Sequence, residues 1–201
     1  MLKMGLTGGM GSGKTTAARI FEALGIPIYY ADQAAKRLME EEAGIRSAIQ
    51  QAFGTEAYQD GHLNRSWLAS QVFHDPEHTR RLNALVHPAT LADARHWMGQ
   101  QTTPYAVKEA ALLFESGSEQ ELDLVVGVQA SQETRLRRVL QRDGVTREEA
   151  LNRMQRQMDE QEKMARCDRI LVNEDDSRLT PQVLALHEEL LHLAAKMPPF
   201  P

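Results

Sequence analysis

Eight residues near the start of the chain have the types and the spacing that bind nucleotide phosphates. They read Gly8-Gly9-Met10-Gly11-Ser12-Gly13-Lys14-Thr15, which matches the P-loop pattern G-x-x-x-x-G-K-[ST]. Because glycine has no Cβ, successive backbone N–H groups can turn toward an anion and surround it. Lys14 supplies a positive charge for the β- and γ-phosphates, and the Thr15 hydroxyl can bind Mg²⁺. The alternative, a chance match in a glycine-rich turn, is disfavoured because an apolar run precedes the loop and a helical pattern follows it.

Three acidic residues fall where predicted strands end, and ligands bind at this edge of an open α/β sheet. Asp32 follows the apolar run 27–31, and it either takes part in the chemistry or serves as N-cap of a helix over 33–41, or does both. Glu109 and Glu115 lie at or beyond the end of the next strand. One of them could hold Mg²⁺ through water, and a solvated loop charge is the alternative for Glu115.

Arginines recur along two predicted helices, 131–143 and 147–165, which a short turn joins. They are Arg135, Arg138, Arg142, Arg153 and Arg156. Thr146 and Glu149 have the spacing of a capping box and mark the start of the second helix. Such a helix pair suggests a lid that closes over a triphosphate, excludes water and adds positive charge. Ion pairs with neighbouring acids, on a merely solvated surface, are the alternative.

Three further residues are candidates for substrate contact. Arg65 lies in a polar stretch, where an arginine is more often a solvated charge. His87 lies between an apolar flank and Pro88, which predicts that a fixed turn holds it. Asn173 follows the last predicted strand, and its amide can read an adenine edge or cap a turn.

Strand-like and helix-like segments alternate along the chain, which predicts an α/β fold with a mainly parallel sheet. The predicted core strands are 2–7, 27–31, a run that starts at 105, 122–128 and 169–173. The predicted helices outside the insertion are 14–24, 131–143, 147–165 and 179–195. Residues 33–103 are largely polar with helical spacing, which predicts a helical insertion between two core strands.

The composition is that of an ordinary globular protein, with 42% of the 201 residues hydrophobic and 25% charged. The formal net charge of −5 provides no general attraction to nucleic acids or anionic membranes. Cys167 is the single cysteine, which excludes an internal disulfide and fits a reducing compartment. No apolar run approaches the roughly 18 residues of a membrane span, and the first residues lack a signal-peptide pattern. We therefore expect a cytoplasmic protein with neither a nucleic-acid nor a membrane partner.

The chain resembles the dephospho-CoA kinase family from Leu6 to about Val183. The matching motifs lie at Leu6–Thr15, Ala31–Asp32, Asp60–Arg65, Leu82–Pro88, Leu112–Glu115, Gln141–Asp143 and Asn173. The P-loop alone is generic, whereas its combination with Asn-x-x-x-His-Pro and Leu-Leu-Phe-Glu is specific. The family transfers the γ-phosphoryl group of ATP to the ribose 3′-hydroxyl of dephospho-CoA, the last step of coenzyme A synthesis.

The resemblance implies an α/β, three-layer P-loop kinase fold with a five-stranded parallel sheet, a helical substrate-binding insertion and a helical lid. Residues 1–201 would form one domain, whose core is about 1–31, 104–142 and 166–196. The insertion on the CoA side would be about 32–103, and the lid about 143–165. ATP, Mg²⁺ and dephospho-CoA are the expected ligands, and a monomer or small homo-oligomer is the expected state.

The resemblance also assigns the site residues. The ATP-binding residues would be Gly8, Gly11, Ser12, Gly13, Lys14, Thr15, Thr16, Arg142 and Asn173. The catalytic residues would be Asp32, Lys14 and Arg138, with Asp32 accepting the proton of the acceptor hydroxyl. The acceptor would be bound by Asp32, Arg65 and His87. Thr15 would hold Mg²⁺, with Glu109 as a further ligand through water.

Two positions depart from the family's pattern. Tyr30 stands where the family often has the first acid of Asp-Ala-Asp, and Ala111 replaces the usual proline before Leu-Leu-Phe-Glu. Neither change removes a group assigned to the chemistry. Two other functions stay open, a P-loop kinase for another small molecule and a nucleotide-gated regulatory ATPase. A GTPase is disfavoured because the guanine-reading pattern Asn-Lys-x-Asp is absent.

Overall fold

The computed structural model describes residues 1–73 and 75–197, with Phe73 described by its backbone only. These residues form two compact units. One unit is Ala31–Trp97, and the other combines Met1–Tyr30 with the chain from Met98 onward. In chain order the strands and helices are β1 (Leu2–Thr7), α1 (Lys14–Ala23), β2 (Ile28–Tyr30), α2 (Ala31–Glu41), α3 (Ala43–Phe53), β3 (Tyr58–Gln59), β4 (His62–Leu63), α4 (Arg65–Phe73), α5 (Pro76–Gly99), β5 (Tyr105–Glu109), β6 (Leu124–Gln129), α6 (Gln132–Asp143), α7 (Arg147–Gln155), α8 (Glu160–Ala165), β7 (Arg169–Val172) and α9 (Leu179–Lys196). None of these described helices combines the length and the apolar character that crossing a membrane requires.

Within the described part of the chain, five parallel strands form one sheet in the order β2, β5, β1, β6, β7. Strands of a parallel sheet are covered on both faces and read as apolar runs, and β5 is buried along its whole length. The register of β1 and β5 sets Leu6 opposite Glu109. The loop after β1 and the end of β5 therefore meet at the carboxyl edge of the sheet. The predicted parallel α/β sheet is confirmed.

The sheet is covered on both faces. Helices α1 and α9 cover one face, where Phe21 and Val183 are fully buried in a single cluster with the strands. Because successive residues of a strand face opposite sides of the sheet, Gly127 of β6 lies on the face away from α1 and α9. The sulfur atoms of Met164 and Cys167 occupy the space that a Cβ would need there. The glycine thus lets α8 and the residues after it pack closely, which completes the predicted three layers.

The unit Ala31–Trp97 packs its helices and the β3–β4 hairpin around an apolar core of its own. The core residues are Leu38, Ile45, Ile49, Ala57, Tyr58, Leu63, Leu68 and Val86. The hairpin turns at Asp60 and Gly61, whose φ angles are 51° and 82°, as a type I′ turn requires. The predicted helical character of this stretch is confirmed. The strands were not predicted, because two residues are too few for an alternating pattern.

The predicted continuous helix over 147–165 is wrong. The structure has two helices there, α7 and α8, separated by residues 156–159. Asp159 is the N-cap of α8, and its carboxylate accepts hydrogen bonds from the N–H groups of Gln161 (2.9 Å) and Glu162 (3.2 Å). An aspartate that satisfies these first N–H groups favours the start of a new helix over continuation of the preceding one.

Two residues of interest lie inside helices rather than at a helix end or in a turn. α2 begins at Ala31, so Asp32 lies in its first turn and is not the N-cap of a helix over 33–41. His87 lies inside α5, which continues through Pro88, so the fixed turn expected there is also wrong. An interior proline costs a helix about 3 kcal/mol. Burial of Val86 in the apolar core helps to offset that cost.

Candidate active site

The loop between β1 and α1 has the backbone of an anion site. Gly11 and Gly13 have φ angles of 83° and 93°, which residues with a Cβ adopt only at a cost. The Ser12 N–H donates to the Gly9 carbonyl (3.0 Å) and closes the turn. α1 then begins at Lys14, and no side chain of the described residues caps its first N–H groups. These donors and the positive end of the helix dipole are therefore available to an anion.

A cleft of about 330 Å³ adjoins this loop. It is lined by Gly11, Gly13, Lys14, Thr15, Thr16, Arg19, Arg138 and Arg142. The described lining residues include four basic side chains and no acid, and the acids that pair with three of them lie outside the lining. A lining whose charged groups are all positive favours an anion. The cleft has the size and the charge to hold the phosphates of a nucleotide.

The remaining predicted loop residues shape the loop from its buried side. Gly8 and Ser12 are both buried, and a Cβ at Gly8 would overlap the Ser12 hydroxyl and the Val128 carbonyl oxygen. Arg19 lines the cleft but was not predicted from the sequence. It follows Thr15 by four residues on α1, and this spacing places both on one helix face. Helical spacing from Thr15 could therefore have found it.

Glu109 lies beside the loop at the end of β5. Its Oε1 accepts a hydrogen bond from the Thr15 hydroxyl (3.4 Å) and lies 3.7 Å from the Lys14 ammonium. The side chain is 6% exposed, so its charge acts on these two neighbours with little screening. A carboxylate and a hydroxyl at this spacing are the hard oxygen donors that Mg²⁺ prefers.

Glu115 lies elsewhere. Its Oε1 accepts hydrogen bonds from the Lys163 ammonium (3.0 Å) and from the Met158 N–H (2.9 Å). The two carboxylates that the sequence could not tell apart thus have different surroundings. Only Glu109 lies beside Lys14 and Thr15.

Two of the predicted lid arginines line the cleft. Arg138 donates from Nη1 to the Asn173 carbonyl (2.9 Å), and its Nη2 lies 3.6 Å from Asp175 Oδ1. Arg142 donates from Nε and Nη2 to the carboxylate of Asp143 (2.6 Å and 3.0 Å). These hydrogen bonds hold the pKa of Asp143 below its usual value. Arg138 is bonded to the residues after β7, whereas Arg142 is exposed and, among the described residues, is paired only with its chain neighbour Asp143.

Helix α7, the first helix of the predicted lid, begins at the predicted capping box. The Thr146 hydroxyl accepts from the Glu149 N–H (3.3 Å), and the Glu149 carboxylate accepts from the Thr146 N–H (2.9 Å). Arg153 on α7 lies 3.8 Å from Asp143, so Asp143 pairs with Arg142 and with Arg153. Ion pairs this exposed contribute little to stability, so they leave Arg142 available to a phosphate.

Further side chains contact the phosphate loop outside the cleft; the sequence singled out Arg135 among them, as a lid arginine, but neither Gln157 nor Glu160. The Met10 N–H donates to Gln157 Oε1 (2.8 Å), and Glu160 Oε2 lies against Gly9, in the space that a Cβ on this residue would need. Arg135 is buried and lies 3.5 Å from the same carboxylate. Burial raises the pKa of Glu160, while Arg135 is foremost among the groups that act in the opposite direction. Arg135 therefore supports the loop and does not line the cleft.

Asn173 also contacts the loop. Its side-chain Nδ2 donates to the Ser12 carbonyl (2.7 Å), and a Cβ at Gly13 would overlap that nitrogen. The amide reaches the loop because β7 ends at Val172, two strands away from β1 in the sheet. This placement explains why the position after the last strand can belong to a nucleotide site.

The predicted acceptor residues belong to the unit Ala31–Trp97. Asp32 is exposed in the first turn of α2, and Arg65 is exposed at the start of α4. His87 is half-buried within α5. Their roles toward an acceptor stay predictions.

A parallel sheet whose first strand runs into a glycine loop, a helix that begins at Lys14 and a cleft lined by arginines define a P-loop kinase. A family model described as Dephospho-CoA kinase matches residues 2–178. The chain belongs to the dephospho-CoA kinase family, which confirms the resemblance read from its motifs. Kinases of this family are ATP-dependent, so ATP is the phosphoryl donor.

Similar proteins cover nearly the whole chain. A protein of Salinibacter ruber named dephospho-CoA kinase is 41% identical over 178 residues, which are 87% of this chain and 89% of that protein. A crystal structure from Thermus thermophilus superposes with a TM-score of 0.81 at 36% identity, covering 96% of this chain and 97% of its own. A dephospho-CoA kinase from Campylobacter jejuni superposes with a TM-score of 0.69 at 25% identity, covering 94% and 97%. The likeness extends far beyond the generic P-loop.

Proposed function

We propose that this protein transfers the γ-phosphoryl group of ATP to the ribose 3′-hydroxyl of dephospho-CoA, yielding coenzyme A and ADP. The donor half rests on one observation, the cleft beside the glycine loop that Lys14, Thr15, Arg138 and Arg142 line together. The acceptor half rests on membership of the dephospho-CoA kinase family.

Positioning and charge neutralisation account for most of the catalysis in phosphoryl transfer. The backbone N–H groups of the loop and of the start of α1 bind oxygens of the β- and γ-phosphates. Lys14 and Arg138 offset the negative charge on the transferring group, and Arg142 adds charge from the exposed side. Loss of one such contact typically raises the activation free energy by about 3–4 kcal/mol.

The residues beside the loop fit a magnesium ion. The Thr15 hydroxyl and the Glu109 carboxylate supply hard oxygens 3.4 Å apart, and Mg²⁺ takes its other ligands from water and substrate phosphates. Thr15 would hold the ion directly and Glu109 through water. When bound, the ion neutralises phosphate charge and fixes the geometry of the triphosphate.

On the acceptor side, Asp32 orients the 3′-hydroxyl and accepts its proton. The hydroxyl oxygen forms a bond to the γ-phosphorus, the bond from that phosphorus to the β–γ bridging oxygen breaks, and ADP leaves with the electron pair. The proton moves late to Asp32, because the hydroxyl becomes acidic only as the new bond forms. Arg65 and His87 bind the CoA part of the acceptor, an assignment supported by the family's motifs at these positions.

The test is ADP release with ATP and Mg²⁺, measured alone and with dephospho-CoA, adenosine, shikimate, gluconate or common nucleotides. We expect acceleration by dephospho-CoA only, with phosphate on the ribose 3′-oxygen of the product by ³¹P NMR and mass spectrometry. A Lys14→Ala preparation, purified in the same way, controls for a contaminating kinase. Acceleration by a different acceptor would identify another small-molecule kinase, and ADP release independent of any acceptor would identify a regulatory ATPase. The cytoplasmic location and the monomeric or small oligomeric state stay predictions from the sequence.

A further inference from the structure

The connection between α7 and α8, residues 156–159, lies against the back of the phosphate loop. Gln157 Oε1 accepts a hydrogen bond from the Met10 N–H (2.8 Å), and Glu160 Oε2 lies against Gly9, in the space that a Cβ on this residue would need. Neither Gly9 nor Met10 lines the cleft, whose lining begins at Gly11. These two contacts therefore leave the phosphate-facing donors free and fix the part of the loop that precedes them.

The same connection is fixed at its other side by an ion pair whose ammonium is buried. Lys163 on α8 is fully buried, and its ammonium donates to the Ala111 carbonyl (2.8 Å) and to Glu115 Oε1 (3.0 Å). The same Glu115 oxygen accepts from the Met158 N–H (2.9 Å). A buried ammonium is tolerated only when it is paired and hydrogen-bonded, so this arrangement strongly favours one position of the connection. Met158 directly follows Gln157, the residue that holds Met10.

We propose that Glu115 and Lys163 are positioning residues that hold the connection 156–159 against the phosphate loop and so keep the loop in its ATP-binding shape. By this proposal the mobile part of the predicted lid ends before Gln157. Residues 157–163 belong to the rigid core, although they fall within the lid boundaries expected from the sequence. The proposal rests on the proposed function in one respect, namely that the cleft binds ATP.

The alternative for Glu115 and Lys163 is a purely structural pair that stabilises the fold without affecting the nucleotide site. A second ion pair in the same region provides a matched control, which distinguishes the positioning role from the structural role. Glu119 pairs with Arg166 at 3.0 Å, the same distance as the pair of Glu115 and Lys163. Glu119 precedes β6 as Glu115 does, and Arg166 directly follows α8. The Glu119 carboxylate bonds to Arg166 and not to the Met158 backbone. Arg166 meets the connection at the Met158 side chain, where its Nη1 lies 3.9 Å from the sulfur.

The experiment measures ADP affinity by calorimetry without any acceptor, together with KM values and thermal midpoints, for Glu115→Ala, Glu115→Gln, Gln157→Ala and Glu119→Ala. We expect Glu115→Ala and Gln157→Ala each to weaken ADP binding about ten-fold, a change of about 1.4 kcal/mol. The KM for dephospho-CoA should stay within about two-fold of wild type, because no acceptor group is changed. Glu115→Gln keeps an acceptor for the Met158 N–H and should retain more affinity than Glu115→Ala. Glu119→Ala should leave ADP affinity unchanged.

A lowered thermal midpoint with wild-type ADP affinity in Glu115→Ala would overturn the proposal in favour of the structural pair. Equal loss of ADP affinity in Glu119→Ala would overturn it as well, since it would show a general effect of destabilisation. If Glu115→Ala does not fold, Gln157→Ala decides, and wild-type ADP affinity in that variant refutes the proposal. A wild-type protein that binds no ADP would refute the proposed function itself, which the other outcomes leave intact.

Discussion

The side-chain amide of Asn173 donates a 2.7 Å hydrogen bond to the carbonyl of Ser12, 161 positions earlier in the chain. The main-chain carbonyl of Asn173 accepts a hydrogen bond from Arg138 (2.9 Å). The residue after β7 therefore holds both the phosphate loop and an arginine of the cleft. A primary amide has two N–H donors, so contact of Asn173 with adenine stays a separate prediction.

Replacing Asn173 by alanine should raise the KM for ATP about five-fold, because a hydrogen bond of this kind contributes about 1 kcal/mol. The KM for dephospho-CoA should change little. Gln182→Ala is the matched control, since the Gln182 amide also bonds to backbone at the end of β7, at Val172 (2.9 Å and 2.8 Å), away from the loop. Steady-state kinetics of both variants test this, and an Asn173→Ala enzyme with the wild-type KM for ATP would contradict it.

Gly13 and Gly25 provide a paired test of the loop. Both have positive φ angles, 93° and 81°. A Cβ added at Gly13 would overlap the Asn173 amide, whereas a Cβ added at Gly25 would have no described atom within 4 Å. Gly25→Ala should cost about 1–2 kcal/mol of stability through backbone strain and leave ADP affinity unchanged. Gly13→Ala should cost at least as much and weaken ADP binding by more than about ten-fold, or 1.4 kcal/mol. Denaturant unfolding and calorimetry measure the two effects, and equal ADP affinity in the two variants would refute the steric argument.

Lys14→Ala and Asp32→Asn should each lower turnover by roughly 10²–10³, the usual loss for one electrostatic contact in the transition state. Asp32→Asn should leave ADP affinity near wild type, because Asp32 is assigned to the acceptor and not to the donor. Glu41→Gln, an exposed acid at the other end of α2, should be kinetically silent. Rapid-quench turnover and calorimetry give both quantities. Near wild-type turnover in Asp32→Asn would remove its assignment as the proton acceptor.

Glu109→Gln should raise the Mg²⁺ concentration needed for half-maximal rate by about ten-fold, or 1.4 kcal/mol. The substitution keeps the size of the side chain and removes the charge that lies beside Thr15 and Lys14. Rates measured across a Mg²⁺ titration at fixed ATP provide the test. Glu119→Gln, which removes a charge paired with Arg166, should leave the Mg²⁺ requirement unchanged, and equal shifts in both variants would contradict the assignment of the metal to Glu109.

The Cys167 thiol should react slowly with thiol reagents in the folded protein. Burial raises the pKa of Cys167 from its ordinary 9.0 to about 11, and the thiol donates to the Lys163 carbonyl (3.2 Å). Since the thiolate is the nucleophile, labelling at pH 8 should be about 100-fold slower than in denaturant. The ratio should shrink as the pH rises from 9 toward 11, because only the folded protein still gains thiolate there. Absorbance of a disulfide reagent measures both rates, and equal rates at pH 8 would contradict the prediction.

Features that depend on residues close to one another in the sequence could be predicted without the structure. The glycine loop, the capping box of Thr146 and Glu149 and the apolar runs of the sheet each involve residues a few positions apart. Their chemistry is therefore visible in the order of residues. The break before α8 was not predicted, because the helical spacing of apolar residues continues on both sides of Asp159. In the structure, capping by the Asp159 side chain outweighs this spacing.

Contacts between distant parts of the chain could not be predicted from the sequence. Arg135 and Arg138 are three residues apart on one helix and have the same chemistry, yet one is buried against Glu160 and the other lines the cleft. Helical spacing places them on neighbouring faces but does not say what each face meets. The support of the loop by Gln157 joins residues 147 positions apart, and no local pattern carries that information.

The amino-acid sequence by itself determined a phosphate site at Gly8–Thr15, a parallel α/β fold and, through its combined motifs, the family. The tertiary structure decided which carboxylate lies beside that loop. Glu109 and Glu115 are equivalent acids six residues apart in the sequence. Pairing of β5 with β1 places Glu109 beside Lys14, whereas the turn after β5 carries Glu115 to the buried ammonium of Lys163. The difference arises from strand register and burial, which only the assembled fold defines.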